Sequence, residues 1–383
     1  MAIFRIGGPV TGKDFYGREN VLKMLYNNIA EKGVLGYVVY GPRRIGKTSL
    51  LEEFANMLGK KKSVTPIYFD VSSLHPFDIE TFHDQLFLKC VSAFEPKKEI
   101  KSRIMDALKG SADALANLLR SGEVSAIIKD YLQVRIGVKE KKANLQDLIK
   151  KSFGVPESLG KETESRAVLI LDEFQMVDDL EKNTVWAIRS IIQEWKNASI
   201  IVCGSEVSLL EQMILPKTAP FFQLLRPYQL GPFDEKTSVN MMRERFNLAG
   251  LSADDEILEY IFSITQGYPY YLQWLGDKIY DSGKKKIGKE TVESSLGALL
   301  NEGDPLFRSS LEKLSPLEKD TFIEIGLGNE QISKIAHAIG KPVPTIAKML
   351  ERLIEKSFVK KRAEGEYVLI DPILKKWVQI TYG

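Results

Sequence analysis

At residues 41–49 the chain reads Gly41-Pro42-Arg43-Arg44-Ile45-Gly46-Lys47-Thr48-Ser49. This stretch fits the phosphate-binding pattern G-x-x-x-x-G-K-[ST] at every fixed position and follows an apolar run, 34–40. Gly41 and Gly46 let the backbone turn its N–H groups toward phosphate, and a helix beginning near Lys47 adds its positive dipole. Lys47, as a surface-facing side chain, reaches the β and γ phosphates, and Thr48 reaches magnesium. The stretch predicts binding of a nucleoside triphosphate; the alternative is a glycine turn with an exposed lysine.

A second, acidic motif follows further along the chain. The continuous apolar run 167–171 is typical of a strand buried on both faces of a parallel sheet, and it ends in Asp172-Glu173. Carboxylates at the carboxyl end of such a strand lie where open α/β sheets bind ligands. This Walker B pattern predicts that Asp172 holds magnesium and that Glu173 polarises the attacking water, with Lys47 as the other catalytic residue. The alternative is a helix N-terminus whose dipole favours acidic residues.

Composition limits the class of protein. At 383 residues, with 44% apolar and 27% charged residues, the chain is typical of a soluble protein of two or three domains. No apolar run approaches the roughly 18 residues of a membrane span, and 1–7 lacks a signal-peptide profile. We therefore expect a cytoplasmic protein. Cys90 and Cys203 are too few for a disulfide framework, and three scattered histidines predict no structural metal.

Residues 34 to 232 alternate strand-like and helix-like segments, which predicts an α/β fold with a parallel sheet flanked by helices. The predicted strands are 34–40, 64–71, 167–171, 199–203 and 228–230. A helical insertion is expected at about 75–163, with an interruption at Gly154-Val155-Pro156. Its apolar residues at helical spacing include Leu108, Ala112, Leu115, Leu118 and Leu119.

After residue 233 the pattern becomes helical throughout. The predicted helices are 234–248, 255–265, 270–280 and 290–300. They predict a small all-α lid. The basic run 281–286 is an inter-helix loop in one interpretation and a phosphate contact in the other. The expected domains are a nucleotide-binding core at 1–233, the lid at 234–310 and a third unit at 311–383.

The third unit has the pattern of a winged helix-turn-helix. Ser315 is an N-cap with Pro316 at the first helical position. Helices are predicted at 332–339 and 344–356 around a turn at Gly340, followed by a hairpin of 358–362 and 367–370.

Its charge favours contact with double-stranded DNA. Residues 331–362 hold eight Lys or Arg against two Glu, a local charge of about +6. The candidate DNA-binding residues are Lys348 and Arg352 on the second helix and Lys360, Lys361 and Arg362 on the wing. Winged helices also serve as protein-contact or oligomerisation modules, so protein partners or a homo-oligomer are the alternative.

Together these motifs resemble the archaeal ATPase family, in the AAA+ and STAND branch of P-loop NTPases, over nearly the whole chain. Phe15-Tyr16-Gly17-Arg18-Glu19 resembles the family box that packs near the adenine, and the paired arginines of the loop are typical of the family. Cys203-Gly204-Ser205 resembles the sensor position, and Gly267-Tyr268-Pro269 the motif that brings the lid to the nucleotide. The C-terminal 371–377 fits the same family. The resemblance thus adds Tyr16, Arg18, Ser205 and Pro269 to the nucleotide-binding residues of the loop.

The resemblance implies an ATP/ADP- and magnesium-binding ATPase whose nucleotide state sets the position of the winged helix. Many members carry an arginine finger shortly after the sensor strand, whereas the nearest arginine here, Arg226, lies further on. Since such a residue supplies about 10³ to 10⁵ in turnover, slow hydrolysis and switch-like behaviour are expected. One alternative is a DNA-binding initiator or transcription regulator that uses ATP structurally. Another is a signalling scaffold that oligomerises on ATP without nucleic acid.

Overall fold

The structure is a computed structural model that describes residues 3–94, 126–139, 144–181 and 183–383. The helical spacing of Leu108, Ala112, Leu115, Leu118 and Leu119 in the predicted insertion lies outside the described residues.

A five-stranded, all-parallel sheet forms the centre of the first half of the chain. Its strands are β1 (Gly36–Tyr40), β2 (Val64–Asp70), β3 (Arg166–Asp172), β4 (Ala198–Gly204) and β5 (Arg226–Gln229). They lie in the order β2-β3-β4-β1-β5, and each begins and ends within two residues of its prediction. The predicted sheet is therefore confirmed. Strand β1, which leads into the phosphate-binding loop, lies between β4 and the edge strand β5, so the loop starts inside the sheet rather than at its side.

Helices cover both faces of this sheet. They are α1 (Glu19–Tyr26), α2 (Lys47–Leu58), α3 (Ile79–Phe94), α4 (Ala126–Lys139), α5 (Leu145–Glu162), α6 (Thr184–Ile192) and α7 (Val207–Ile214). Alternate residues of β1 face opposite sides: Val39 joins an apolar cluster with α1 and α2, and Val38 joins one with α3 and α5. Because both faces are buried, β3 and β4 are apolar without alternation.

The interruption predicted at Gly154-Val155-Pro156 is wrong. Helix α5 continues through Pro156, although proline has no N–H to donate to the carbonyl four residues earlier. Phe153, Val155 and Leu159 are buried against the sheet. This burial offsets the missing hydrogen bond, so tertiary packing overrides the local helix-breaking signal.

The second half of the chain begins with four helices, α8 (Glu235–Leu248), α9 (Asp255–Thr265), α10 (Pro269–Asp281) and α11 (Lys289–Glu312). Helix α11 extends well past its predicted end at residue 300. Leu300, Gly303, Phe307 and Leu311 continue its buried stripe at helical spacing, which explains the extra length. The boundary expected at 310/311 therefore falls inside the last turn of α11.

The C-terminal unit, residues 315–383, comprises four helices and a hairpin. Its elements are α12 (Pro316–Leu327), α13 (Ile332–Ile339), α14 (Val343–Glu355), β6 (Val359–Ala363), β7 (Glu366–Leu369) and α15 (Pro372–Tyr382). Strands β6 and β7 pair antiparallel. The apolar cluster on the α1–α2 side of the sheet runs through α10 and α11 into this unit. Among the described helices, none combines the length and apolar character needed to span a membrane.

Candidate nucleotide-binding site

A cavity of about 800 Å³ lies at the carboxyl edge of the sheet, between the loop at 41–49 and helix α10. Most predicted site residues line it, namely Tyr16, Arg18, Arg43, Arg44, Ile45, Gly46, Lys47, Thr48, Ser49, Glu173, Ser205 and Pro269. Gly41, Pro42 and Asp172 are not among its lining residues. Gln175, Met241, Tyr270 and Gln273 also line it, and the sequence motifs did not mark them.

The two glycines of the loop have different tasks. Gly46 has a φ of +88°, a left-handed conformation that glycine adopts without a steric penalty, and it directly precedes α2. Gly41, which was predicted to turn the backbone, is not in that conformation. A Cβ on Gly41 would lie only 2.3 Å from the carbonyl oxygen of Leu230. Gly41 is therefore required because the loop passes directly against the chain that leaves β5.

We expect Gly41→Ala to lower the free energy of unfolding by about 2 kcal/mol, since a backbone oxygen cannot rotate away from the added methyl group. Urea unfolding measures this loss. Gly231→Ala is the matched control, because nothing lies within 4 Å of a Cβ at that position, and it should change stability by about 0.5 kcal/mol at most. Equal stability of the two variants would contradict the packing argument.

Lys47 is buried, with 6% of its surface exposed, so the prediction of a surface-facing lysine is wrong. Its Nζ donates to the carbonyl oxygens of Gly41 and Pro42, each at 2.8 Å. Burial lowers the pKa of Lys47, and the nearby Glu173 and Asp172 carboxylates act in the opposite direction. The ammonium group is thus held at the mouth of the loop by the loop's own backbone.

Asp172 is 1% exposed and receives several hydrogen bonds. The Tyr68 hydroxyl donates to Oδ2 at 3.0 Å, and the Glu173 N–H donates to Oδ1 at 3.0 Å. Burial raises the pKa of Asp172, and hydrogen bonds from Thr48 and Tyr68 counteract it. The structure thus brings Thr48 and Asp172 together as predicted. Tyr68 was missed because only the pairing of β2 with β3 places it there.

The Thr48 hydroxyl and the Asp172 carboxylate are a donor set that suits magnesium, a hard cation with oxygen ligands. Over the described ranges there is no group of three or more His, Cys, Asp or Glu side chains that could hold a metal. Magnesium characteristically takes one or two carboxylates together with substrate phosphates. The residues present therefore fit an ion bound jointly with a nucleotide.

Glu173 is held by two polar neighbours. Its carboxylate accepts hydrogen bonds from the Ser205 hydroxyl at 3.1 Å and from the Gln175 amide. Its φ of +50° is left-handed, a conformation that non-glycine residues rarely adopt and that concentrates at functional sites. The predicted sensor position thus contacts the predicted base directly. Gln175, two residues beyond Glu173, belongs to no sequence motif, and only its contact with Glu173 marks it as part of the site.

The N-terminal box closes the cavity against α8. The Arg18 guanidinium donates to the Gly231 carbonyl at 2.5 Å and lies 4.5 Å from the Phe233 ring centroid. Burial lowers the pKa of Arg18 to about 10. The Tyr16 hydroxyl donates to Glu244 at 2.9 Å, and burial, followed by this bond, raises its pKa to about 12.

The arginines occupy three different environments. Arg43 is exposed at the cavity, whereas the Arg44 guanidinium, which also lines it, is engaged in an ion pair with Asp371 at 2.7 Å. Arg226 is exposed and lies opposite Tyr37 at the amino end of the sheet. Since the cavity is at the carboxyl end, Arg226 is remote from the site of its own molecule.

A loop of this pattern at the carboxyl edge of a parallel sheet, beside a buried Asp172 and a half-buried Glu173, defines a P-loop ATPase core. The chain belongs to the family of ATPase domains found predominantly in Archaea, whose model matches residues 15–275, more than half of the chain. The resemblance stated from the sequence is thereby confirmed.

Similar proteins agree with this placement. Over 329 residues the chain is 24% identical to an uncharacterised ATP-binding protein of Methanocaldococcus jannaschii, covering 81% of this chain and 85% of that protein. The Walker-type ATPase PABY2304 of Pyrococcus abyssi has a similar fold, with a TM-score of 0.72, 20% identity and coverage of 99% and 100%. The ORC2 protein of Aeropyrum pernix gives a TM-score of 0.57, 13% identity and coverage of 99% and 98%.

Proposed function

We propose that this P-loop ATPase binds ATP with magnesium, hydrolyses it slowly and acts as a nucleotide switch. In this proposal the nucleotide lies between the α/β core and the helical lid, α8–α11. Its state sets the position of the C-terminal unit, a winged helix-turn-helix, and so gates the binding of DNA or of a partner. The proposed function is therefore binding of DNA or of a partner that is regulated by the bound nucleotide.

The observation that carries this proposal is that the short segment 205–208 makes hydrogen bonds to the cavity at one end and to the C-terminal unit at the other. Ser205 contacts Glu173 inside the cavity and stands two residues before α7. From α7, the Ser208 hydroxyl donates to the Ile354 carbonyl at 2.9 Å, and the Val207 N–H donates to the Ser357 hydroxyl at 3.2 Å. A change at the γ phosphate that moves Ser205 therefore has a direct route to the C-terminal unit.

The residues of the cavity have complementary roles in this mechanism. Lys47 would donate to phosphate oxygens, and Thr48 and Asp172 would hold a magnesium ion. When bound, magnesium neutralises charge on the phosphates and fixes their orientation. Glu173, oriented by Ser205 and Gln175, accepts a hydrogen bond from the attacking water and aligns it with the γ phosphate. As the water oxygen bonds to the γ phosphorus, the bond from that phosphorus to the bridging oxygen breaks and the water's proton passes to Glu173 and then to the departing phosphate, so that ADP stays in the loop.

The expected slow rate follows from the arginines. Arg226 lies at the opposite edge of the sheet, and Arg44 is engaged with Asp371. An arginine finger supplies about 10³ to 10⁵ in turnover, so its absence from these positions favours a long-lived ATP state. Contacts with the γ phosphate exist in that state alone, and hydrolysis removes them, which shifts the population of C-terminal positions.

The basic residues proposed for DNA contact are all exposed, but they are not equivalent. Arg362 pairs with Glu330 at 2.8 Å and with Glu366 at 3.2 Å, so its charge is partly neutralised. Lys348 and Arg352 lie one turn apart on α14, and Lys360 and Lys361 lie on β6. The available positive surface is therefore smaller than the local count of about +6 indicated.

We expect replacement of Lys360, Lys361 and Arg362 by Ala to weaken DNA binding for all sequences alike and to flatten its salt dependence, because phosphate contacts are lost. Arg362 should contribute least. Replacement of Arg352 should instead alter sequence preference. DNA retention over a salt series, with and without ATP, measures both effects and tests the proposed gating.

The matched control replaces Lys284, Lys285 and Lys286 by Ala. These lysines are also exposed, and their replacement removes the same charge from the loop after α10. Retention should be unchanged if 281–286 is an inter-helix loop, whereas a loss would assign phosphate contact to that loop as well. If the wild type is not retained at about 50 mM salt, or the wing variant binds as well as the wild type, the DNA hypothesis is wrong. The oligomerising scaffold without nucleic acid then takes its place. Retention that is independent of ATP would favour the initiator or regulator that uses ATP structurally.

A further inference from the structure

The side chain of Arg44 joins the phosphate-binding loop to the C-terminal unit. Its Nη1 lies 2.7 Å from Oδ2 of Asp371 and also donates to the Tyr271 hydroxyl. That hydroxyl in turn donates to the same Asp371 oxygen at 2.5 Å. One carboxylate oxygen thus accepts hydrogen bonds from both an arginine of the loop and a tyrosine of the lid.

The other oxygen of Asp371 caps the last helix. Oδ1 accepts the N–H groups of Ile373 and Leu374, at 3.0 and 2.9 Å, at the start of α15. Asp371 is therefore fixed in the C-terminal unit by its own helix, and its free oxygen is presented to Arg44. The loop, the lid and the C-terminal unit meet at this single carboxylate.

Aromatic rings enclose the Arg44 guanidinium. Its central carbon lies 5.4 Å from the Tyr271 ring centroid, 5.7 Å from that of Tyr270 and 5.8 Å from that of Phe307. The Arg44 and Asp371 side chains are 19% and 21% exposed. Partial desolvation makes both the ion pair and the cation–π contacts stronger than at an exposed site.

The backbone of Arg44 depends on this enclosure. Its φ of +67° is left-handed, which costs a non-glycine residue about 1 kcal/mol or more. Gly46, two residues further on, is also left-handed and leads into α2. The contacts of the Arg44 side chain therefore stabilise the turn of the loop that precedes α2.

On this side the loop and the C-terminal unit are not closely packed. A second cavity of about 640 Å³ separates them, lined among others by Arg43, Lys313, Lys356 and Leu374. The Arg44–Asp371 pair spans its edge. Arg44 and Asp371 both line this cavity, so their ion pair joins the loop directly to the C-terminal unit across it.

We propose that Asp371 and Tyr271 are positioning residues of the nucleotide site. They hold Arg44, and through it the phosphate-binding loop, in the conformation that receives phosphate. Nucleotide binding and docking of the C-terminal unit then stabilise each other, because coupling between two binding events is reciprocal. This inference rests on the proposed function in one respect, that the cavity binds ATP.

Asp371→Asn tests the proposal, since asparagine still caps a helix but does not pair with arginine as an anion. We expect the Kd of a fluorescent ATP analogue, and that of the matching ADP analogue, to rise about tenfold. A rise of this size corresponds to the loss of one charge-assisted hydrogen bond. Arg44→Gln should give a similar rise. The double variant should be no weaker than either single variant, because the two residues act through one contact.

Glu318→Gln is the matched control. Glu318 also lies in the C-terminal unit, is buried, caps a helix and pairs with a lysine, Lys356, at 2.8 Å, but it does not contact the loop. Its Kd for nucleotide should stay within about twofold of the wild type. Thermal unfolding of both variants shows how much each loses in stability, so that a general loss of folding is distinguished from a loss of loop positioning.

The reciprocal effect is measured by amide hydrogen exchange. Saturating nucleotide should slow exchange of the Ile373 and Leu374 amides in the wild type and not in Asp371→Asn. An Asp371→Asn variant that binds nucleotide as tightly as the wild type would overturn the proposal, and tighter binding would mean that Asp371 competes with phosphate for Arg44. A wild type that binds no nucleotide would overturn the proposed function as well, so the two failures are distinct.

Discussion

Lys47→Ala is expected to weaken ATP binding by about a hundredfold or more. The ammonium group lies at the mouth of the loop, between the carbonyl oxygens of Gly41 and Pro42 and close to Glu173 and Asp172. A hydrogen bond from an ammonium to a phosphate contributes about 1.5 to 3 kcal/mol, and Lys47 has more than one such bond to give. Equilibrium titration with a fluorescent ATP analogue measures the loss.

The burial of Lys47 decides how this experiment is controlled. Alanine removes a buried aliphatic stem as well as the charge, so Lys47→Ala is expected to lose some stability. Lys47→Met keeps most of the stem and removes only the charge. We expect both variants to lose ATP binding to the same extent and Lys47→Met to unfold at a higher urea concentration than Lys47→Ala. Unchanged affinity in folded Lys47→Met would refute the phosphate-binding role of this loop.

The strands and most of the site were predictable because their signals are local. Continuous apolar runs define strands that are buried on both faces, and fixed spacing defines the loop at 41–49. Asp172 ends β3, and Thr48 lies in the first turn of the helix that follows β1, so the two meet across β4 at the carboxyl edge of the sheet. The relation of Ser205 to Glu173 follows in the same way from the pairing of β3 with β4.

The errors share a physical cause, which is that they depend on residues distant in the sequence. Pro156 continues a helix because the sheet buries its neighbours. Lys47 is buried next to Cys203 and Asp172, which come from the distant strands β4 and β3. Arg44 finds Asp371 at a separation of 327 residues, which no local pattern encodes. The same holds for Arg362, whose partner Glu330 comes from the segment between α12 and α13.

Glu173→Gln is expected to lower the single-turnover rate of ATP hydrolysis by about a hundredfold or more, while nucleotide affinity stays within about twofold. General-base catalysis contributes about 10² to 10⁴, and an amide cannot supply it. The amide keeps the shape of the side chain. Its oxygen can still accept the hydrogen bonds that Ser205 and Gln175 donate to Glu173, so the cavity should keep its geometry.

The control for this prediction is Glu181→Gln, the same chemical change at an exposed position a few residues beyond Glu173 in the same segment. It should leave both rate and affinity unchanged. Rapid mixing with radiolabelled ATP gives the single-turnover rate, and titration with the fluorescent analogue gives the affinity. Hydrolysis that persists within about threefold in Glu173→Gln would mean that another group aligns the water.

Glu173→Gln also distinguishes the effect of bound ATP on the C-terminal unit from the effect of ATP hydrolysis. A variant that binds ATP without cleaving it stays in the state whose γ-phosphate contacts the proposed switch depends on. If those contacts set the position of the C-terminal unit through Ser205 and α7, the variant in ATP should keep one pattern of amide exchange around Ile354 and Ser357. The wild type should start with the same pattern and change to its ADP pattern as ATP is consumed. Identical exchange in ATP and ADP would show that hydrolysis does not reach the C-terminal unit by this route.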